Sequence, residues 1–290
     1  MDVHMKLNLK DWTSFRIGGP ADVAVEPKDI KELVGLIKFL RSEGIIFYIL
    51  GNGTNVLVSD KGVRGCVVRI GHNLTKMRIV NGTKIEAEAG ASLAEVANFA
   101  LKNGLRGLEE LSGIPGSIGG AVVMNAGAYN REIKDVFSSA NAINEAGRVV
   151  KLGKDAMNFS YRKSAVSDGK FIITQVVLNL QEGDKKEIQE KMERFREIRK
   201  NTQPIEYPSA GSVFKRPENG FAAKFIEQSN LKGENVKDAE VSTKHAGFII
   251  NKGKAKAMDV YKLMEKIKTE VQVYHNVLLE PEIKLWGKFK

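Results

Sequence analysis

Residues 108 to 129, Leu-Glu-Glu-Leu-Ser-Gly-Ile-Pro-Gly-Ser-Ile-Gly-Gly-Ala-Val-Val-Met-Asn-Ala-Gly-Ala-Tyr, constrain this chain more than any other stretch. Gly113, Gly116, Gly119, Gly120 and Gly127 crowd a nearly uncharged segment, and Pro115 stiffens its first turn. Glycine lacks Cβ, so it takes φ > 0 and lets another molecule approach the backbone closely. Such a run leaves N–H groups pointing outward without a regular ladder, which suits a pyrophosphate or a flat ring edge. A negative ligand here would be held by backbone dipoles. Glycine spacing alone fits a buried connector between strands equally well.

A second glycine turn, Gly51-Asn52-Gly53-Thr54-Asn55, follows the strand-like Ile45 to Leu50. It opens like a dinucleotide fingerprint, but Val56 stands where the third glycine belongs and β-branched residues follow where a helix should start. The Rossmann reading fails there. A phosphate-cradling turn between strands, with Asn and Thr side chains as extra donors, stays open.

The chain has 290 residues, enough for two or three domains. No apolar run approaches the roughly 18 residues of a membrane span, and the first residues show neither a signal-peptide apolar region nor a small-residue cleavage site. A cytoplasmic protein is expected. The single cysteine, Cys66, rules out an internal disulfide and sits in an apolar strand-like setting, as a small buried hydrophobe. The four histidines are scattered, so no metal site is expected. The net charge of +10 raises nucleic acid as a partner. Lysine and arginine alternate with glutamate along the predicted helices, however, the pattern of a solvated face. No helix-turn-helix, finger or aromatic-basic platform appears. A basic cleft for a small anionic substrate accounts for the charge as well.

Patterning predicts α+β organisation. A strand at 22–25 leads to a helix with Ile30, Leu33, Val34, Ile37 and Leu40 on one face, closed by Gly44. Residues 76–89 read as a hairpin about Asn81-Gly82. Ser92 and Glu95 form a capping-box signature for a helix closed by Gly104. A hairpin about Ala146-Gly147, a buried strand at 171–180 and a charged amphipathic helix at 184–201 follow. Gln203-Pro204 and Tyr207-Pro208 then break the chain, and a domain boundary is placed there. Beyond it come helices near 220–229 and 256–273, a strand at 247–251 and a strand-like end from 276 to 286.

Three stretches carry candidate chemistry. Tyr161-Arg162 sets a guanidinium beside an aromatic ring, Ser212 sits on a tight turn ahead of Lys215 and Arg216, and Glu280-Pro281-Glu282 supplies two carboxylates. Singly these read as a surface ion pair, a turn former and solvated acids. Ser212 has no Gly-x-Ser-x-Gly elbow and no evident histidine partner, so an acyl-transfer nucleophile is not supported.

Seven segments in order span nearly the whole chain: Thr-Ser-Phe-Arg-Ile-Gly-Gly-Pro-Ala, Leu-Gly-Asn-Gly-Thr-Asn-Val-Leu, Gly-Ile-Pro-Gly-Ser-Ile-Gly-Gly-Ala-Val-Val-Met-Asn-Ala-Gly-Ala-Tyr, Tyr-Arg-Lys-Ser, Ala-Gly-Ser-Val-Phe-Lys, Lys-His-Ala-Gly-Phe-Ile-Ile-Asn and Leu-Glu-Pro-Glu. Together they resemble the UDP-N-acetylenolpyruvoylglucosamine reductases, the MurB flavoenzymes. The resemblance implies an FAD-binding two-domain unit of the vanillyl-alcohol-oxidase (PCMH) type plus a smaller α+β substrate domain. It divides the chain into 1–65, then 66–202 with 277–290, and 203–276 as the substrate domain. The implied reaction is NADPH-dependent reduction of the enolpyruvyl ether of UDP-N-acetylglucosamine to UDP-N-acetylmuramate, in peptidoglycan synthesis.

By motif match Arg162, Ser212 and Glu282 take the catalytic places. Glu282 is preferred to Glu280 because Ile283 and Lys284 follow it as in the family. The implied FAD-binding residues are Gly18, Gly19, Gly51, Asn52, Gly53, Thr54 and Asn55, then Gly113, Ile114, Pro115, Gly116, Ser117, Gly119, Gly120 and Ala126. Tyr161, Arg199 and Lys215 are assigned to substrate. Neither glycine turn contains His or Cys, so the flavin is expected to be held without a covalent link.

Two residues depart from the family pattern: Arg216 stands where many relatives have Asn, and Thr54 replaces Ser. The chain between Arg162 and Ser212 has no room for the inserted tyrosine loop of the longer family class. A flavin oxidase of the same fold accounts for the glycine turns but not for the Arg162, Ser212 and Glu282 set.

Overall fold

The computed structural model describes residues 1–289. The chain separates into two compact units, one of residues 1–4, 23–52 and 65–199, the other of 5–22, 53–64 and 200 onward.

In the first unit, α1 (Ile30–Ser42) forms as its periodicity predicts. Asp29 caps it by accepting the Glu32 N–H, and Gly44 leaves it at φ +61°. Its buried face is Leu33, Ile37 and Leu40. The strand Phe47–Leu50 pairs in parallel with residues 66–69, and Cys66 is buried there. A five-stranded antiparallel sheet runs in the spatial order Val149–Gly153, Phe137–Ile143, Ile172–Asn179, Lys84–Glu88, Met77–Asn81. Asn81 pairs with Lys84, so the first hairpin turns at Gly82 and Thr83, one residue beyond the position predicted. Cross-strand register sets the turn, and it placed the φ-positive Gly82 second rather than third.

The helix α2 (Leu93–Lys102) carries the complete capping box of Ser92 and Glu95. Hydrogen bonds to Ser92 hold the Glu95 carboxyl below its usual range. The pattern did not predict α3 (Ile118–Val123), which rises inside the glycine-rich segment. Two glycines and two valines are poor helix formers, so tertiary packing decides it. Gly119 lies so close to the preceding strand end that a Cβ there would sit 2.8 Å from the Ala89 Cβ. The last helix of this unit, α4 (Lys185–Thr202), buries Ile188 and Met192. One core joins α1, α2, α3 and the sheet, and each fully buried Leu or Ile contributes about 1.5–3 kcal/mol.

The second unit is built on a four-stranded antiparallel sheet in the order Ser209–Ser212, Phe248–Asn251, Ala239–Val241, Asn235–Val236. Two helices accompany it, α5 (Ala222–Gln228) and α6 (Ala257–His275). The latter buries Val260, Leu263, Met264, Ile267 and Val271, the i, i+3, i+4 spacing of a core-facing helix. Of the strand-like C-terminal stretch, Lys284–Trp286 forms a strand parallel to Val56–Val58, and Pro281 makes an isolated bridge to Phe214.

The start of α6 is capped from far away in sequence. Asp60 accepts the N–H groups of Ala257 (2.9 Å) and Met258 (3.0 Å), donors that a helix leaves unsatisfied. Asp60→Ala should therefore destabilise the protein by about 1–2 kcal/mol, read as a lower denaturant midpoint with unchanged slope. A midpoint equal to the parent's would show that water replaces the carboxylate without cost.

Candidate active site

The glycine-rich segment is fixed by backbone bonds to the junction between the sheet and α2. Leu93 N–H donates to Gly116 O, Ile118 N–H to Ala91 O and Gly119 N–H to Ala89 O, all at 2.8–2.9 Å. Within the same unit the Gly51-Asn52 turn closes on it. Asn52 Nδ2 donates to Pro115 O at 3.2 Å, and a Cβ on Gly51 would meet Ser117 Oγ at 2.4 Å. The two turns singled out in the sequence are thus neighbours. The N–H groups of Asn52, Gly113 and Gly116 donate to no protein acceptor among the described residues. Half-exposed, unbonded N–H groups beside glycines fit the pyrophosphate of a flavin dinucleotide.

The glycines are not equivalent. A Cβ on Gly53, which has φ +64°, would lie 2.0 Å from Trp12 O, and one on Gly19 would lie 2.2 Å from Asp60 O. These two glycines permit backbone-on-backbone packing inside the second unit. Gly18 is similarly enclosed by Val58 and Lys10. Gly120 is exposed, and its Cβ would meet only the Ser117 hydroxyl, at 3.3 Å.

Arg162 sits at the tip of a two-residue reversal in the first unit. Ser160 and Lys163 exchange backbone bonds of 3.0 and 3.2 Å across it, and Phe159 packs edge-on to Phe137 at its base. Arg162 has φ +53°, a conformation that disfavours side chains and gathers at functional sites. Its guanidinium lies 4.8 Å from the centre of the Tyr161 ring, and Nη2 donates to Gly127 O at 3.1 Å. Gly127 belongs to a short hairpin whose two loop residues, Tyr129 (φ +51°) and Asn130 (φ +61°), are both left-handed. Tyr129 stacks on Phe195 of α4 with ring centres 4.5 Å apart. Arg199, one turn further along α4, is partly buried against Gly113. Burial lowers its guanidinium below the ordinary arginine range, with the Tyr129 phenol opposing the shift.

Ser212 and Glu282 lie on adjoining backbone segments of the second unit. Phe214 and Pro281 form an antiparallel bridge, Glu282 N–H donates to Val213 O at 2.7 Å and Lys215 N–H donates to Glu280 O at 2.8 Å. This register sets the Glu282 backbone beside that of the residue after Ser212. Gly211, at φ +74°, makes the turn into Ser212 with open space on its Cβ side. The Ser212 hydroxyl donates to no protein acceptor among the described residues. Asn55 Nδ2 reaches Glu282 O at 3.3 Å, so the second glycine turn supports this segment directly. Glu280 is different: it is largely exposed and pairs with Lys215 at 2.9 Å, whose bond and charge hold its carboxyl below the usual range.

Pattern reasoning missed some residues here. Asn125 is fully buried at φ +41° with its side-chain amide bonded on both sides, and Tyr129 forms the hairpin noted above. Asparagine's tolerance of φ > 0 was the only signal for the first. Lys200 and Lys244 line a hollow of about 570 Å³ with Asn201, Ile205 and Glu206. Among the described residues no group of His, Cys, Asp and Glu is arranged to hold a metal ion. None of their helices is long and apolar enough to cross a membrane.

An FAD-binding domain model matches residues 21–153, so the class that fold and site define is that of FAD-binding α+β proteins. A second model, the C-terminal domain of UDP-N-acetylenolpyruvoylglucosamine reductase, matches residues 203–286. The reductase of Caldanaerobacter subterraneus subsp. tengcongensis is 50% identical over 97% of this chain and 92% of its own length. That of Clostridium novyi is 47% identical over 99% of this chain and 93% of its own. The crystal structure of the Thermus caldophilus enzyme superposes with a TM-score of 0.82 at 35% identity, over 99% of this chain and 98% of that one. The chain belongs to the UDP-N-acetylenolpyruvoylglucosamine reductase family.

Proposed function

We infer that this chain is an FAD-dependent UDP-N-acetylmuramate dehydrogenase, reducing the enolpyruvyl ether of UDP-N-acetylglucosamine at the expense of NADPH in peptidoglycan synthesis. The observation that carries it is the pair of glycine turns closing on each other beside unbonded N–H groups, in a chain of this family. When bound, FAD supplies the hydride. Gly51, Asn52, Gly113, Gly116, Ser117 and Gly120 would hold it, with Ile114, Pro115, Gly119 and Ala126 shaping the segment. Gly18, Gly19, Gly53, Thr54 and Asn55 belong to the same assignment.

Reduction places a hydride on the terminal vinyl carbon, and the electron pair moves through the neighbouring carbon toward the carboxylate. Arg162 binds that carboxylate through charge-assisted bonds and stabilises the doubly charged enolate. Ser212 gives its hydroxyl proton to the carbon, a base strong enough to take it. Glu282 orients the donors around the enolate, or donates to it when protonated. Tyr161, Arg199 and Lys215 act on the anionic substrate. The domain boundaries proposed are 1–65, 66–202 with 277–290, and 203–276, and the place of action is the cytoplasm.

The purified protein should be yellow, bleach with NADPH and recover its colour on adding the enolpyruvyl substrate. Acid precipitation should leave the colour in the supernatant, because His72 and Cys66 lie outside both glycine turns. A colourless protein that gains no flavin on incubation with FAD overturns the inference, and colour kept in the pellet overturns the non-covalent link. Rapid reoxidation of substrate-reduced protein by oxygen would instead indicate an oxidase.

A further inference from the structure

We propose that Asn125 is a positioning residue that holds the Arg162 reversal against the glycine-rich segment and so sets where the guanidinium meets the substrate carboxylate. This rests on the assignment of Arg162 to that carboxylate. Asn125 is fully buried, and its amide is bonded on every side. Nδ2 donates to Ser160 O at 3.0 Å and to Glu132 Oε2 at 3.1 Å, while Oδ1 accepts the Lys134 N–H at 3.1 Å. Its φ of +41° would suit glycine better. If the backbone conformation alone mattered, glycine would serve, so the side chain has a use of its own.

That use is directional. The bond to Ser160 grips the base of the reversal, and Arg162 Nη2 returns to Gly127 O, two residues beyond Asn125. The reversal is thereby held to one short segment at its base, through Asn125, and at its tip, through the guanidinium, and that segment is continuous with the predicted flavin contacts. A different pair of bonds keeps the two stretches of chain together: the Ser164 and Ser167 hydroxyls both donate to Val123 O, at 2.8 and 2.7 Å. Loss of Asn125 therefore leaves the segments joined and frees the reversal. An error of about 1 Å in a substrate-holding group costs on the order of 100-fold in rate.

The test compares Asn125→Gly, Asn125→Asp and Arg162→Ala with the combination of Asn125→Gly and Arg162→Ala. Glycine accepts the φ, and aspartate keeps the shape and the acceptor for Lys134 while losing both donors. FAD affinity and flavin reduction by NADPH should stay within about twofold of the parent. Binding of the enolpyruvyl substrate to the oxidised enzyme, by calorimetry, should weaken. Flavin reoxidation by that substrate should slow by roughly 10- to 100-fold.

In the Arg162→Ala background Asn125→Gly should add almost nothing, because the group it positions is gone. A purely structural role would impose the same loss in both backgrounds. Equal losses, loss of FAD by both Asn125 variants, or reoxidation at the parent rate in both of them would overturn the proposal. If Arg162→Ala alone leaves substrate binding and reoxidation unchanged, the assignment of Arg162 fails first and this inference falls with it.

Discussion

Ser212→Ala is expected to leave FAD binding and flavin reduction by NADPH near normal, while reoxidation by the enolpyruvyl substrate slows about 10²- to 10⁴-fold. The substitution removes one hydroxyl and little volume. The hydroxyl has no protein acceptor among the described residues, so no internal bond is broken with it. Backbone bonds carry the segment: Val213 N–H donates to Gly247 O at 2.9 Å, and Glu282 N–H donates to Val213 O at 2.7 Å. Neither involves the Ser212 side chain, so the alanine variant should keep the turn. Rapid-mixing absorbance of each half-reaction decides the matter. Equal loss of both steps would make Ser212 a binding or structural residue. Loss of neither would move the proton to another donor, with Glu282 the first to test.

Gly120→Val should give a folded protein depleted at least tenfold in FAD affinity, whereas Gly53→Val should fail to fold. The difference comes from what each new Cβ meets. At Gly120 the obstacle is one rotatable hydroxyl at 3.3 Å, and the residue is exposed. At Gly53 it is the Trp12 carbonyl at 2.0 Å, with φ +64° adding strain. Circular dichroism and thermal unfolding report the fold, and flavin fluorescence titration reports affinity. Parent-like FAD affinity in Gly120→Val would show that the face of α3 carrying Gly120 is turned away from the flavin. A stable, well-folded Gly53→Val would contradict the close approach of the two backbones.

These glycines show how far sequence reasoning reached. Both turns were singled out for the same reason, freedom from Cβ, and that reason is common to ligand approach and to chain-on-chain packing. Only the folded chain separates them: Gly53 faces other backbone within its unit, and Gly119 faces Ala89. Likewise Glu280 and Glu282 share a motif. Structure separates them: Glu280 is exposed and pairs with Lys215, whereas Glu282 is half-buried.

What the sequence determined by itself are the features encoded in neighbouring residues. These are the periodic face of α1, the amphipathic α4, the presence of α6, the capping box of Ser92 and Glu95, the breaks at Gly44 and Gly104, and the ordered motifs that place the chain in its family. Each depends on interactions a few residues long, so local pattern suffices. The tertiary structure alone decided the helix within the glycine-rich segment, the Asp60 cap of α6, and the clasp of Asn125 on a reversal 35 residues away. Those rest on bonds between chain segments that local propensity either ignores or opposes. Burial makes the Asn125 amide find partners, and only the folded chain determines which partner lies within reach.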